Sequence, residues 1–368
     1  MKIICNKQAL YEALVNVSKA AADKSTIPAL EGVKLRLANE TLILTGYDLE
    51  IGINTAIPVV SSDSGELVVN SRLFSDIVKR MPSDEIEIDV AENLAVTIIG
   101  GVTEYTITAL SAQEYPSIPE LDEGEKIKLS QGVLKSLINE TVFAVSTNDT
   151  KPILKGELFE ITGNRLNVVA LDGFRLAVRT ESVKIDGDMK FIVPAKTLQE
   201  VSRLLKDEDD LECAVRVTKK QVVFDFSGYT VFSRLLEGEF HNYRGSIPQN
   251  SVTEVIINKR ELIDCLERAS LLINERIKMP VRCVFDNGSL KVSCQTSIGK
   301  INDENPADIT GPKIEIGFNC KFLLDSLKVI KDEKIKLLMN SGTLPMKIVP
   351  VDGDEYTYLV LPVRLRSE

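Results

Sequence analysis

The 368-residue chain has a single histidine, His241, and no tryptophan. A Ser/His/Asp or Cys/His catalytic site would therefore depend on one imidazole, in the linker-like stretch Phe240-His241-Asn242-Tyr243. No Gly-x-x-x-x-Gly-Lys-Ser/Thr loop is present and no Gly-x-Gly-x-x-Gly follows a strand, so the chain is not expected to bind a nucleotide of its own. Its six cysteines form no Cys-x-x-Cys pair and sit in largely apolar contexts, which reads as reduced, buried thiols of a cytoplasmic protein. No apolar run approaches the ~18 residues of a membrane span, and Met1-Lys2-Ile3-Ile4-Cys5 is too short for a signal peptide and reads as a first strand. Neither metal nor cofactor is expected. The acidic cluster Asp207, Glu208, Asp209, Asp210 and Glu212 follows a helix in a polar turn and reads as a solvated loop.

What the chain does have is one message stated three times, at a period of about 124 residues, the size of a whole domain with its own core. Thr26-Ile27-Pro28-Ala29-Leu30 matches Thr150-Lys151-Pro152-Ile153-Leu154 and, more loosely, Lys278-Met279-Pro280-Val281-Arg282. Gly46-Tyr47-Asp48-Leu49 falls on Ala170-Leu171-Asp172-Gly173. Leu67-Val68-Val69-Asn70 falls on Phe191-Ile192-Val193-Pro194 and Ile316-Gly317-Phe318-Asn319. Each repeat reads strand, helix, strands, helix, strands. First helices are expected near 6–24, 130–147 and 258–276, with Asn258 as an N-cap, and second helices near 71–81, 195–206 and 320–331. Alternating runs such as Lys34-Leu35-Arg36-Leu37 and Val222-Val223-Phe224-Asp225-Phe226 read as strands. The fold class is α+β: three similar domains of antiparallel sheets with two helices each, not a doubly wound parallel sheet. Extended, Pro-containing stretches, Glu114–Pro119 and Asn242–Pro248, place the domains at 1–122, 126–247 and 249–368.

The net charge of −10 first argues against a nucleic-acid partner. Its distribution argues the other way. The six expected helices carry 17 Lys or Arg against 10 Asp or Glu, so the remainder of the chain holds the negative excess. On the second helices, Arg72 and Lys79, Lys196 and Arg203, and Lys321 and Lys328 are each seven residues apart, two turns along one face. A solvated face explains one such helix. Three in register suggest a basic stripe for phosphates, non-specific and salt-sensitive.

Leu171-Asp172-Gly173-Phe174-Arg175-Leu176-Ala177-Val178, Leu235-Leu236-Glu237-Gly238-Glu239-Phe240 with Asn242-Tyr243-Arg244, Ile314-Glu315-Ile316-Gly317-Phe318-Asn319 and Leu361-Pro362-Val363-Arg364-Leu365 carry a resemblance. In this order and spacing, the chain resembles end to end the bacterial DNA polymerase III beta subunits, the replicative sliding clamps. The resemblance implies half of a head-to-tail dimeric ring with helices lining the hole. Such a ring encircles double-stranded DNA without reading sequence and tethers polymerase to it. It has no catalytic activity of its own, needs an ATP-driven loader to open it, and works in the cytoplasm on the nucleoid.

The resemblance also implies partners, namely the polymerase III catalytic subunit, the clamp loader and repair polymerases. These insert short peptides into a pocket between the second and third domains. By position that pocket involves Leu154, Leu171, Gly173, Phe174, Arg175, Leu176, His241, Gly245 and Ser246. The third domain adds Ile277, Asn319, Phe322, Thr343, Pro345, Val360, Leu361, Pro362, Val363 and Arg364. Phe174 stands where a histidine is common in the family, Gly245 where a basic residue occurs, and Phe322 where a tyrosine is seen. Lys24, Asn148 and Lys151 match DNA contacts, and Tyr105 and Ile107 would meet Leu271 and Leu272 of a second copy. Two rivals stand beside this reading: a peptide-binding scaffold that does not encircle DNA, and a metal-dependent nuclease built on the acidic cluster.

Overall fold

A computed structural model describes residues 1–61, 63–119, 124–184, 187–273 and 279–365. Six α-helices occur among them: α1 (Lys7–Val17), α2 (Ser71–Arg80), α3 (Gln131–Asn139), α4 (Ala195–Leu204), α5 (Lys259–Ser270) and α6 (Cys320–Lys328). All six expected helices are there, with the first of each pair shorter than its periodicity suggested. The chain after α1 tightens into a 3₁₀ turn at Ser18–Ala20, and α3 is followed by another at Val142–Ala144. Within the observed bounds the helices carry 12 basic and 7 acidic residues, so the charge segregation survives the trimming.

Four of these helices start directly from a strand through one asparagine. The side-chain oxygens of Asn6, Asn70, Asn258 and Asn319 accept from the backbone N–H groups of Ala9, Leu73, Glu261 and Lys321 at 2.9–3.1 Å. Each fills one of the donors that a helix start leaves unpaired, worth about 1 kcal/mol. At α3 the Ser130 hydroxyl takes the same role, accepting from Val133 N–H at 3.2 Å.

The chain divides into two compact units, Met1–Lys135 with Glu200–Leu235, and Ser136–Gln199 with Leu236–Glu368. The first holds an antiparallel four-stranded sheet and a nine-stranded sheet. In the four-stranded sheet, Lys2–Asn6, Glu85–Val90, Ala95–Gly100 and Thr103–Thr108 lie side by side, leaving Thr103–Thr108 as an edge. In the nine-stranded sheet, Tyr229–Arg234 pairs with Ile51–Pro58 in the register Tyr229↔Thr55 and Phe232↔Gly52, joining strands far apart in the chain. Tyr47 and Phe232 meet edge to face in the core behind this junction, ring centroids 6.1 Å apart. Gly46 is required where its strand crosses the end of α1, since a Cβ there would stand 1.9 Å from the Val17 carbonyl oxygen.

The second unit repeats the plan with the order of sheets reversed. Its nine-stranded sheet joins Arg175–Ser182 to Tyr356–Val360, with Arg175↔Val360 and Ala177↔Tyr358. Its four-stranded sheet ends on Gly299–Pro306 as an edge, backed by Ser289–Thr296. α5 packs on α6, and the apolar sides of both close a core around Phe285, Phe318, Leu327 and Tyr358. Burying side chains of this size contributes about 1.5–3 kcal/mol each. All six cysteines are buried and unbridged.

Candidate DNA-facing helices and peptide site

The second helices are amphipathic in the same sense. Phe74, Ile77 and Val78 of α2, Leu198 and Val201 of α4, and Leu323, Leu324 and Leu327 of α6 are buried. Arg72, Lys79, Lys196, Arg203, Lys321 and Lys328 are all exposed. Three have neighbours that leave them available: Lys79 Nζ lies 5.9 Å from the Tyr11 ring centre, Arg203 pairs with Glu200 at 2.8 Å and Lys328 with Glu267 at 2.7 Å. The Lys328–Glu267 pair is exposed at both side chains and worth at most about 1 kcal/mol, so a phosphate can replace that carboxylate at little cost. Lys24, Asn148 and Lys151 are exposed on loops that precede the 3₁₀ turns Pro28–Glu31 and Pro152–Lys155. Asn148 uses its side-chain oxygen to accept from Thr150 N–H at 3.0 Å.

Asp207, Glu208, Asp209 and Asp210 lie in an exposed turn after α4, where Asp209 accepts from the Ser130 hydroxyl at 3.0 Å, while Glu212 opens the following strand and pairs with Lys128 at 2.7 Å. Among the described residues, no group of three or more His, Cys, Asp or Glu is placed to hold a metal, and no helix is long and apolar enough to cross a membrane.

The residues expected to take a peptide gather in the second unit around one turn. Asp172 Oδ1 accepts from Phe174 N–H at 2.8 Å and Arg175 N–H at 3.0 Å, with Gly173 at φ +93° completing the bend. The first repeat builds the same turn on Asp48, which accepts from Glu50 and Ile51 N–H, and there Leu49 adopts φ +77°. That shared geometry explains the match between Gly46–Leu49 and Ala170–Gly173. The turn pushes Phe174 outward to 62% exposure while Leu171 and Leu176 on either side go down into a cluster with Leu154, Tyr243 and Leu359. Leu154, Leu171 and Leu176 thus form a floor, and Val360 has no exposed surface at all.

Around that floor stand the other residues. The Phe174 and Phe322 rings stack at 6.1 Å, inclined by 28°. The Arg175 guanidinium lies 4.6 Å from the Phe322 ring centre and 5.5 Å from that of Phe143, and it bonds Asp172 at 3.0 Å and Asp325 at 2.6 Å. Leu361 N–H donates to the Phe174 carbonyl at 2.9 Å and Val363 N–H to that of Gly317 at 2.8 Å, so Leu361–Arg364 runs alongside the turn. Asn319 is occupied as the cap of α6. Thr343 and Pro345 lie just before Met346, which pairs with Val360. His241 and Ser246 are 3.4 Å apart on an exposed segment with Gly245. Ile277 falls outside the described residues.

Sequence reasoning did not pick out the groups that hold these in place. Glu160, 1% exposed, accepts from the Tyr243 hydroxyl at 2.6 Å, from Arg244 at 3.0 Å and from Lys190 at 2.7 Å. Burial pushes its carboxyl up, but the bonds from Lys190, Tyr243 and Arg244 outweigh it and hold the group at about 2. It pins the 3₁₀ turn Tyr243–Ser246 to the sheet. Asp325 sits 150 residues from Arg175, a separation at which no local pattern reveals a partner.

Three family descriptions match consecutive parts of the chain: the N-terminal domain of the DNA polymerase III beta subunit over residues 1–119, its central domain over 128–242 and its C-terminal domain over 244–364. The beta sliding clamp of Bacillus subtilis (strain 168) is 34% identical over 377 residues, covering 99% of this chain and 100% of that one. The crystal structure of the DNA polymerase sliding clamp from Bacillus subtilis superposes with a TM-score of 0.95 at 34% identity, covering 100% of both chains. A sliding clamp from Pseudomonas aeruginosa bound to griselimycin gives a TM-score of 0.93 at 29% identity, covering 99% of this chain and 100% of that one.

Proposed function

The chain belongs to the family of bacterial DNA polymerase III beta subunits, and on that premise we propose that two copies close head to tail into a ring around duplex DNA. Its function is that of a DNA sliding clamp, an accessory processivity factor of DNA polymerase. We place the domains of each copy at 1–122, 126–247 and 249–368. The ring itself performs no chemistry and depends on a separate ATP-driven loader, in the cytoplasm and on the nucleoid.

The observation that carries this reading is the recurrence of exposed basic pairs at equivalent positions of α2, α4 and α6, opposite their buried faces. Arg72, Lys79, Lys196, Arg203, Lys321 and Lys328, joined by Lys24, Asn148 and Lys151, would meet phosphates without reading bases. Because the ring holds DNA topologically, weak contacts serve it better than tight ones.

The free strand edges support the closure. Tyr105, on the edge strand Thr103–Thr108, lies 124 residues before Tyr229, which opens the strand that pairs with Ile51–Pro58. Gly299–Pro306 lies 124 residues after Arg175–Ser182, the strand that receives Tyr356–Val360. A second copy can repeat that junction between molecules, with Tyr105 and Ile107 on one side and, on the other, Leu271 and the Leu272 that lies beside Gly299. Leu271 is 80% exposed, as a side chain awaiting a partner would be. Polymerase and other DNA-processing proteins would then bind through short peptides at the Phe174 turn.

Retention on nicked circular DNA, with loader and ATP, tests the ring. Retention in high salt that vanishes when the circle is linearised is the expected result. Binding that fades with salt and ignores topology would leave only the peptide scaffold, a reading that the kinship with sliding clamps does not favour.

A further inference from the structure

The turn that presents Phe174 recurs a third time. Thr296 stands where Asp172 and Asp48 do, and its side-chain oxygen accepts from Ile298 N–H at 3.3 Å, as Asp172 accepts from Phe174 and Asp48 from Glu50. Each turn leads into a strand that ends a hairpin: Glu50 before Ile51–Pro58, Phe174 before Arg175–Ser182, and Ile298 before the edge strand Gly299–Pro306.

The chain opposite the turn repeats as well. Arg234 N–H donates to the Glu50 carbonyl and Leu361 N–H to that of Phe174, both at 2.9 Å. Two residues past Leu361, Val363 N–H reaches the Gly317 carbonyl on the strand that leads into α6. On the strand that leads into α2, Val68 pairs with Leu110, two residues past the edge strand Thr103–Thr108. Leu110 is therefore the counterpart of Val363. Leu73 is the counterpart of Phe322, each following the first basic residue of its helix, Arg72 or Lys321.

The three positions that hold Phe174, Phe322 and Val363 at the second turn thus hold Ile298, Leu73 and Leu110 at the third. All are apolar, and the latter three are exposed by 62%, 48% and 38%. Ile298 belongs to the second unit, Leu73 and Leu110 to the first. The head-to-tail junction proposed above would gather them from two copies.

Strand pairing does not account for them. Glu50 holds the Ile298 position where Ile51–Pro58 is already paired with Tyr229–Arg234, so a junction does not require an apolar residue there. Phe174 stays mostly exposed although Arg175–Ser182 is paired with Tyr356–Val360, so a junction does not cover the position either. An apolar patch left over in this way marks a contact surface. Its floor differs from that of the Phe174 turn. Leu171 and Leu176, which flank that turn, correspond to Gln295 and Lys300, an exposed cross-strand pair. Apolar groups at the rim over polar ones below suit an extended chain, whose successive side chains point to opposite sides.

We propose that closing the ring completes a second docking site at the junction between copies, with Ile298 of one copy and Leu73 and Leu110 of the other at its rim. It takes an extended peptide with apolar and polar side chains in alternation. The proposal rests on the ring and peptide-site readings above.

The test is photocrosslinking of the hexapeptide Leu-Ser-Leu-Ser-Leu-Ser, carrying a benzophenone at its N-terminus, to the full chain. Labelled fragments are identified by mass spectrometry, and the dimer is followed by sedimentation. Label is expected on the fragments that carry Ile298 and Leu110 as well as at the Phe174 turn. Ile298→Glu installs the residue type that the first repeat carries at its formed junction, so the dimer should persist. Label at the junction between copies should fall about tenfold, while label at the Phe174 turn stays unchanged. Leu73→Glu should do the same. Label confined to the Phe174 turn, or junction label that survives both variants, would overturn the inference and leave both earlier readings standing. Dissociation of Ile298→Glu into single copies would overturn it too, since the patch would then only seal the ring. A wild type that stays a single copy would overturn the ring reading and the inference with it. No label anywhere would overturn the peptide-site reading and the inference with it.

Discussion

Arg175 Nη1 bonds Asp325 Oδ2 at 2.6 Å, tying the turn that presents Phe174 to the helix that carries Phe322. The stacked rings are thereby set by an ion pair behind them, 10% and 28% exposed at its two side chains. Asp325→Ala leaves Arg175 with Asp172 alone and should lower unfolding stability by about 1–3 kcal/mol. Thermal unfolding checks this. Peptide binding should weaken as well, because the Phe322 side of the site loses its anchor.

Glu157 is fully buried, and burial pushes its carboxyl well above the usual range despite a bond from the Thr141 hydroxyl at 3.1 Å. Its Oε1 has no hydrogen-bond partner among the described residues. The folded state therefore holds a proton that the unfolded chain releases above pH ~4.3. The neutral acid's contribution is intact below that value and shrinks as pH rises toward the folded-state value, by up to about 1.4 kcal/mol per pH unit. Glu157→Gln should remove this loss. The variant should gain on the wild type in urea midpoint between pH 5 and pH 9, and a constant difference would refute the assignment.

Glu160 behaves with the opposite sign. Its folded-state value of about 2 lies below the unfolded ~4.3, so its contribution is present above pH ~4.3 and lost as pH falls through 2. Glu160→Gln should cost about 2–3 kcal/mol at pH 7. The deficit against wild type should fade on acidification, which a pH series of denaturation curves reads directly.

Removing one basic side chain from each second helix, as in Arg72→Ala, Lys196→Ala and Lys321→Ala together, should leave the fold intact, since all three are exposed. Affinity of the unloaded protein for linear DNA should fall equally on all sequences. Its log–log salt slope should become shallower by about 0.9 for each phosphate no longer neutralised.

Much of this was legible in the sequence because repetition multiplies a weak signal. One helix with basic residues seven apart is ordinary, but Arg72, Lys196 and Lys321 at equivalent positions are not. The asparagine cap at Asn258 was readable too. Helix ends were harder, because α1 stops where Gly46 brings a strand against Val17, a tertiary contact with no local trace. The same holds for the supports of the proposed peptide site. Glu160 reaches Tyr243 across 83 residues and Asp325 reaches Arg175 across 150, so only the folded chain pairs them. Leu154, Leu171 and Leu176 could be assigned to the site by resemblance, but that they form its floor depends on the outward turn at Asp172.

Among the described residues, Thr103–Thr108 and Gly299–Pro306 are edge strands, each paired on one side only, and this has a further consequence. Each offers a row of free backbone donors and acceptors, and Val102 beside the first is entirely exposed. Such edges are templates for aggregation unless something covers them. A junction that joins unlike edges stops at two copies only if the turn per copy brings the last edge back to the first; otherwise it adds copies without end. That turn is then a safeguard against fibre growth, and substitutions that change it, far from either edge, would convert a closed pair into a filament.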